Sequence, residues 1–380
     1  MPTPLTFGIA PLTDSAPFVI ARTEGFFAQF GIEPTIRVIR TWSAMRDELI
    51  SGRCHAAHML FGMPVANAVG RLGLNSKPLI IPWIISRNGQ AITLHKKYAG
   101  KIKTDAGALK GVAHEKRDKG RPLVFGVTLP VGTHAMWLRY WLASGLISPD
   151  NDVALITIPP PQMVTNMRMG NLDGFCAGEP LNARAIADSV GFTAITTQQI
   201  WAGHPEKVCV FTEEFAEANP DTVKAVLKAL HLASQWLSDP ANRDKTAEIL
   251  SQPEYIGGGK DTIAQRLNGS YPLGDGRSVE NDVSPLTFSG NGANYPQLKY
   301  AIWWLTQMRR WNMTLGSPDY TGIPARVMRP ELYQTAMQEL GVPPAAQDFS
   351  PETLFDGAAF DPAKPEEYAR SFKIHSIRTE

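Results

Sequence analysis

Three turns carry residue types that could do chemistry. Thr41-Trp42, Gly132-Thr133-His134 and Gly178-Glu179-Pro180 each follow a β-like run and open a helical one. A helix N-terminus offers backbone N–H groups without intrahelical partners and the positive end of a dipole, a combination that favours a bound anion. Ordinary capping accounts for any one such turn, but here they recur at corresponding edges of two similar halves. Other stretches imitate motifs without completing them. His114-Glu115-Lys116-Arg117-Asp118 begins like a zinc-protease helix, yet Asp118 stands where the second histidine is required, so a charged loop or helix end is expected. Gly257-Gly258-Gly259-Lys260 has Glu254 in place of the first glycine of a phosphate loop and Asp261 in place of its Ser/Thr. No G-x-S-x-G elbow occurs. His55 and His58 lie three apart on an expected strand, facing opposite sides. Lys207, from its type alone, reads as one more surface lysine.

The elements that must position these residues come in two copies. A shift of 118 residues lays Leu5-Thr-Phe-Gly-Ile-Ala10 over Leu123-Val-Phe-Gly-Val-Thr128, with Phe and Gly in register. Each run leads into a helical pattern, Pro17 to Phe30 or His134 to Ser144, and then into a β-like segment, Thr35 to Ile39 or Val153 to Ile158. A further helix and a short strand follow, Cys54 to Met59 in the first copy and Leu172 to Ala177 in the second. Parallel strands need helical crossovers, so the pattern predicts two β-α-β-α-β units, each a small parallel sheet with covering helices. Ligands bind beyond the carboxyl ends of such strands, and two such edges can face each other across a cleft. Gly89 to Leu94 carries the chain into the second lobe and Thr196 to Lys207 brings it back. Lobe I is therefore expected over residues 1–93 plus 201–380, and lobe II over 94–200. Beyond about Glu213 the chain reads as helices and loops, with helices from Thr222 to Leu237, Pro296 to Asn312 and near Pro330 to Leu340. Trp303, Trp304 and Trp311 are expected to pack against the first lobe.

Composition bounds the function. The chain has 380 residues, 43% hydrophobic and 19% charged, enough for a sizeable core in two domains. Its 37 Lys+Arg and 36 Asp+Glu leave a net charge of +1, with no surplus for gripping a phosphate backbone, so direct nucleic acid binding is not expected. Cys54, Cys176 and Cys209 are odd in number and widely spaced, which predicts free buried thiols and a reducing compartment. Neither a leader-like segment near Met1 nor an apolar run of membrane-spanning length is visible, and a cytoplasmic protein without membrane insertion is expected.

Read in order, Thr41-Trp42, Arg46-Asp47, Ala56 to Leu60, Asn88-Gly-Gln-Ala-Ile92, Gly132-Thr-His134, Leu138 to Ala143, Pro159 to Met163, Asp173-Gly-Phe-Cys-Ala-Gly-Glu-Pro180 and His204-Pro-Glu-Lys207 resemble the nitrate-binding protein family over roughly residues 5 to 315. The resemblance implies a type II periplasmic-binding-protein-like α/β fold, two lobes with a ligand cleft between them. It also implies a nitrate pocket on Trp42, Gln90, His134, Gly178 and Lys207. Nitrate is a flat anion whose three oxygens accept in one plane. Lys207 would oppose its charge, Gln90, His134 and the Gly178 N–H would donate, and Trp42 would wall the pocket. In the bicarbonate-binding relatives the lysine position looks acidic and goes with calcium, so Lys207 implies a bare anion with no metal and no cofactor. Leu181 departs from the Gly-Glu-Pro-Trp-Asn of transport-type members. With the free thiols and the N-terminus, the resemblance points first to a cytoplasmic nitrate/nitrite sensor of NasS type that releases an RNA-binding antiterminator of NasT type. The alternatives are a periplasmic receptor of an ABC nitrate importer and, from another class, an enzyme using Cys54, His55 and His58.

Overall fold

The computed structural model describes residues 1–73, 76–283 and 285–378. The first copy of the repeat supplies β1 (Thr3–Ile9), β2 (Ile32–Val38) and β3 (Ala56–Leu60). After β4 (Leu79–Asn88) the chain turns through Gly89 into β5 (Gln90–His95). The second copy supplies β6 (Leu123–Val127), β7 (Val153–Thr157) and β8 (Gly174–Gly178), followed by β9 (Gly191–Thr196) and β10 (Pro205–Thr212). One sheet has the order Leu286–Thr287, β4, β10, β3, β1, β2, and the other β7, β6, β8, β5, β9. The described residues thus form an α/β protein with two large sheets, one to each lobe, and two small two-stranded ones, Tyr271–Pro272 with Ser278–Val279 and Glu352–Thr353 with Ala359–Phe360.

The two copies coincide in detail. Phe7 and Gly8 of β1 pair with Ala56 and Ala57, while Phe125 and Gly126 of β6 pair with Gly174 and Phe175. Every partner is offset by the same 118 positions. A Cβ on Gly8 would lie 2.8 Å from the Met45 sulfur, and one on Gly126 would lie 2.8 Å from the Met163 sulfur. Both glycines let the helix that follows the second strand of each copy sit close on its sheet.

Two expectations need correction. The sheets are mixed, not parallel: β10 runs antiparallel to β3 and β4, and β5 antiparallel to β8 and β9. The antiparallel strands are those on which the chain enters or returns to a sheet, and a strand that arrives from the other lobe has no helical crossover to enforce parallel pairing. Sheet membership also changes at Gly89, with Gln90–His95 wholly in the second sheet, so a lobe boundary at 93/94 would cut β5.

The helix Leu298–Arg310 packs on both lobes and not on the first alone. Trp304 meets Phe61 of the first lobe at 5.7 Å between ring centroids, while Trp303 meets Trp137 of the second at 5.2 Å and Trp201 at 5.0 Å. Its indoles lie on more than one side of the helix, and a helix apolar over so wide an arc is buried against more than one neighbour. Near the C-terminus, Phe355 and Phe372 flank Tyr140 of the second lobe. The helices Pro220–Ser238 and Pro330–Gln338 fall where the sequence placed them. All three cysteines are buried and free. No helix among the described residues is long and apolar enough to cross a membrane.

Candidate functional site

Four of the expected site residues stand at or next to the end of an element, and Lys207 lies near the start of β10. Trp42 begins the helix Trp42–Ile50, whose N-cap Thr41 accepts a hydrogen bond from the Ala44 N–H. His134 lies in the first turn of Thr133–Ser144, behind the N-cap Gly132. Gln90 opens β5 directly opposite Gly178 at the end of β8, and Lys207 lies on β10 opposite Leu60. The structure brings these five residues to one place between the lobes.

Their contacts differ from those expected. Lys207 is completely buried, and its ammonium donates to Asp14 Oδ2 at 2.8 Å and Glu206 Oε1 at 3.1 Å. Gln90 Nε2 also donates to Asp14 Oδ2, at 3.0 Å. A carboxylate only accepts, so the amide nitrogen of Gln90 must face Asp14 and its Oε1 must face away. That oxygen lies 2.9 Å from His134 Nε2, which therefore carries the ring proton. His134 Nδ1 is left to accept from the Thr128 hydroxyl at 2.6 Å. The orientation of this chain of donors is fixed from Asp14 in the first lobe to Thr128 in the second.

Trp42 supplies a wall, with the Lys207 ammonium 5.9 Å from its ring centroid. The indole N–H is buried and has no protein acceptor; a buried donor without an acceptor costs about 1–3 kcal/mol. A Cβ on Gly178 would lie 2.8 Å from Gln90 Oε1, so the absence of a side chain there leaves room for the amide. Thr13, beside Asp14, donates its backbone N–H to the Glu179 carbonyl across the lobes at 2.8 Å.

Sequence reasoning missed Asp14 and Glu206. Asp14 lies in the short 3-10 turn Thr13–Ser15, where a Thr-Asp-Ser run looks like ordinary capping. Glu206 adjoins Lys207, and its side chain accepts from the Trp137 indole at 2.9 Å and from the Thr133 hydroxyl. Burial alone pushes the Asp14 carboxyl up, but Lys207 and His58 outweigh it and hold the group below the usual carboxylate range. Glu206 is raised, because its burial outweighs the help from Lys207, Thr133 and Trp137. Burial opposes the charge on Lys207, yet the two carboxylates keep its pKa above the ordinary lysine value. His134 is held neutral, first by burial and then by the nearby ammonium.

The residues of the enzyme alternative are otherwise engaged. His58 Nδ1 accepts from the Ala10 N–H at 3.3 Å, and its Nε2 lies 3.0 Å from Asp14 Oδ1. His55 Nδ1 accepts from the Thr6 N–H at 2.9 Å. The Cys54 thiol is pushed up to about 11 by burial and then by Glu48, which disfavours the nucleophilic thiolate. The Gly257–Gly259 loop precedes the helix Lys260–Asn268 and lines a cleft of about 490 Å³ with Leu12, Arg40, Leu181 and Arg184. His114 to Asp118 form the end of the helix Lys110–Asp118.

Residues 1–251 match the NMT1-like family. The chain is 38% identical to the nitrate/nitrite binding protein NrtA of Synechococcus elongatus, over 98% of this chain and 87% of that one. It is 37% identical to the nitrate import ATP-binding protein NrtC of Synechocystis, over 98% of this chain and 55% of that one. The crystal structure of the periplasmic nitrate-binding protein NrtA from Synechocystis superposes with a TM-score of 0.93 at 34% identity, covering 98% of this chain and 99% of that chain. The closely similar proteins of full coverage are binding proteins, not enzymes. A periplasmic-binding-protein fold and sequence similarity along nearly its whole length place this chain in the NMT1-like family, among the nitrate-binding proteins.

Proposed function

We propose that this chain binds nitrate or nitrite between its lobes and delivers the anion to an ABC-type importer as the periplasmic substrate-binding component. The observation that carries the reading is the fully buried Lys207 ammonium, held by Asp14 and Glu206 with the Trp42 ring 5.9 Å away, and joined through Asp14 to Gln90 and on to His134 of the other lobe. A small planar oxyanion can meet that ammonium and accept from the Trp42 indole, whose size favours a flat ligand over a tetrahedral one. Contacts drawn from two lobes make binding prefer the arrangement in which the lobes meet, the requirement for a ligand-driven population shift.

The relatives support transport over the cytoplasmic sensor first expected. The solved NrtA is named as periplasmic, and NrtC as a nitrate import ATP-binding protein. Control of an antiterminator has no such support, and the importer's ATP-binding component is the partner this reading implies.

Calorimetry with nitrate, nitrite and bicarbonate in turn tests the proposal. Saturable heat with nitrate or nitrite, abolished or strongly weakened in Lys207→Ala, is the expected result. No binding of either anion to the intact protein removes it.

A further inference from the structure

We propose that Asp14 is a built-in competitor for the ligand at Lys207, and so sets how tightly this site holds an anion. The inference rests on the anion-binding reading above and adds a residue to it.

A carboxylate is itself a planar oxyanion carrying one negative charge. Asp14 makes the contacts such a ligand would need: Lys207 Nζ at 2.8 Å, Gln90 Nε2 at 3.0 Å and His58 Nε2 at 3.0 Å. Its side chain is 2% exposed, so these contacts are made out of water. Two of the groups expected to hold the ligand, Lys207 and Gln90, are therefore donating to the protein's own side chain.

Counting charges leads to the same place. One ammonium, Lys207, already faces two carboxylates, Asp14 and Glu206. Adding a third negative group beside them would bury a charge with nothing to oppose it, which is strongly unfavourable out of water. If Asp14 gives way toward the cleft, the anion takes over its share of Lys207. Position favours Asp14 as the group that yields. It sits on a short turn between Leu12, which lines the cleft, and the helix Ala16–Thr23. Glu206, by contrast, is fixed within β10 and tied to Thr133 and Trp137 of the other lobe.

Calorimetry with sodium nitrate at pH 7.5 on the intact protein, Asp14→Asn and Asp14→Glu tests this, each variant first shown to be folded by circular dichroism. The expected result is at least tenfold tighter binding in Asp14→Asn and no gain in Asp14→Glu, which keeps the charge. A folded Asp14→Asn that binds as the parent does, or more weakly, overturns the proposal. A crystal structure of the unaltered protein with nitrate decides the matter independently of any variant: Lys207 Nζ should move beyond 4 Å from Asp14 Oδ2, and retention of the contact with nitrate bound overturns it. Binding in Asp14→Asn alone supports the competitor in its strongest form. Binding in none of the proteins removes the anion-site reading, and this inference with it.

Discussion

At the scale of single residues, the site is a contest for one ammonium. Lys207→Ala removes a charge-assisted contact and is expected to weaken nitrate binding by about 1.5–3 kcal/mol, which calorimetry reads as a tenfold to hundredfold loss. Gly178→Ala tests the donor chain without touching a charge. Its new Cβ, 2.8 Å from Gln90 Oε1, must push the amide out of line with His134, and nitrate affinity should fall while overall folding is kept. Acid stability reports on Asp14. Its carboxyl titrates lower in the folded chain than in the unfolded one, so its contribution is present above about pH 4 and is lost as pH falls toward the depressed folded value. Melting temperatures taken from pH 6 down to pH 3 should drop more steeply in the parent than in Asp14→Asn. The family motifs picked out Trp42, Gln90, His134, Gly178 and Lys207 as a group in the sequence, and the fold brings them close together. Asp14 and Glu206 were not legible. A carboxylate in a turn and one beside a lysine have no periodic signature, and only the tertiary meeting of β10, β5 and the Thr13–Ser15 turn gives them a role.

At the scale of elements, three close approaches hold the frame. Gly8 and Gly126 admit Met45 and Met163 at equivalent points of the two copies. Gly62 does the same for the tryptophan helix, since a Cβ there would lie 2.3 Å from Trp304 Nε1. Gly62→Ala is therefore expected to destabilise the chain by about 1–3 kcal/mol, the cost of overpacking, measured as a shift of the denaturant midpoint. The repeated units were readable because Phe, Gly and the helical periodicity recur at one fixed offset. The mixed character of the sheets was not, since strand direction depends on which lobe a strand comes from, and a short apolar run looks the same in either direction. Nor did the sequence reveal that Leu298–Arg310 binds the lobes together, because an apolar helix face does not name its partner.

At the scale of the whole molecule, a cleft lined by Arg40 and Arg184 includes Leu12 and Pro180, each two residues from a site residue, Asp14 or Gly178. Arg40 is exposed, and a positive group on that cleft raises the local concentration of a small anion. Arg40→Glu should slow association severalfold in stopped-flow tryptophan fluorescence at low ionic strength, with the difference shrinking as salt screens it. The three buried cysteines have a separate use. Burial holds the Cys176 and Cys209 thiols far above their ordinary range, and Cys54 is closed in beside them in kind if not in place. An alkylating reagent added to the native protein will therefore mark only those molecules that have opened, so the rate of labelling serves as an internal clock of unfolding. The same silence leaves the surface ready for one engineered cysteine bearing a dye.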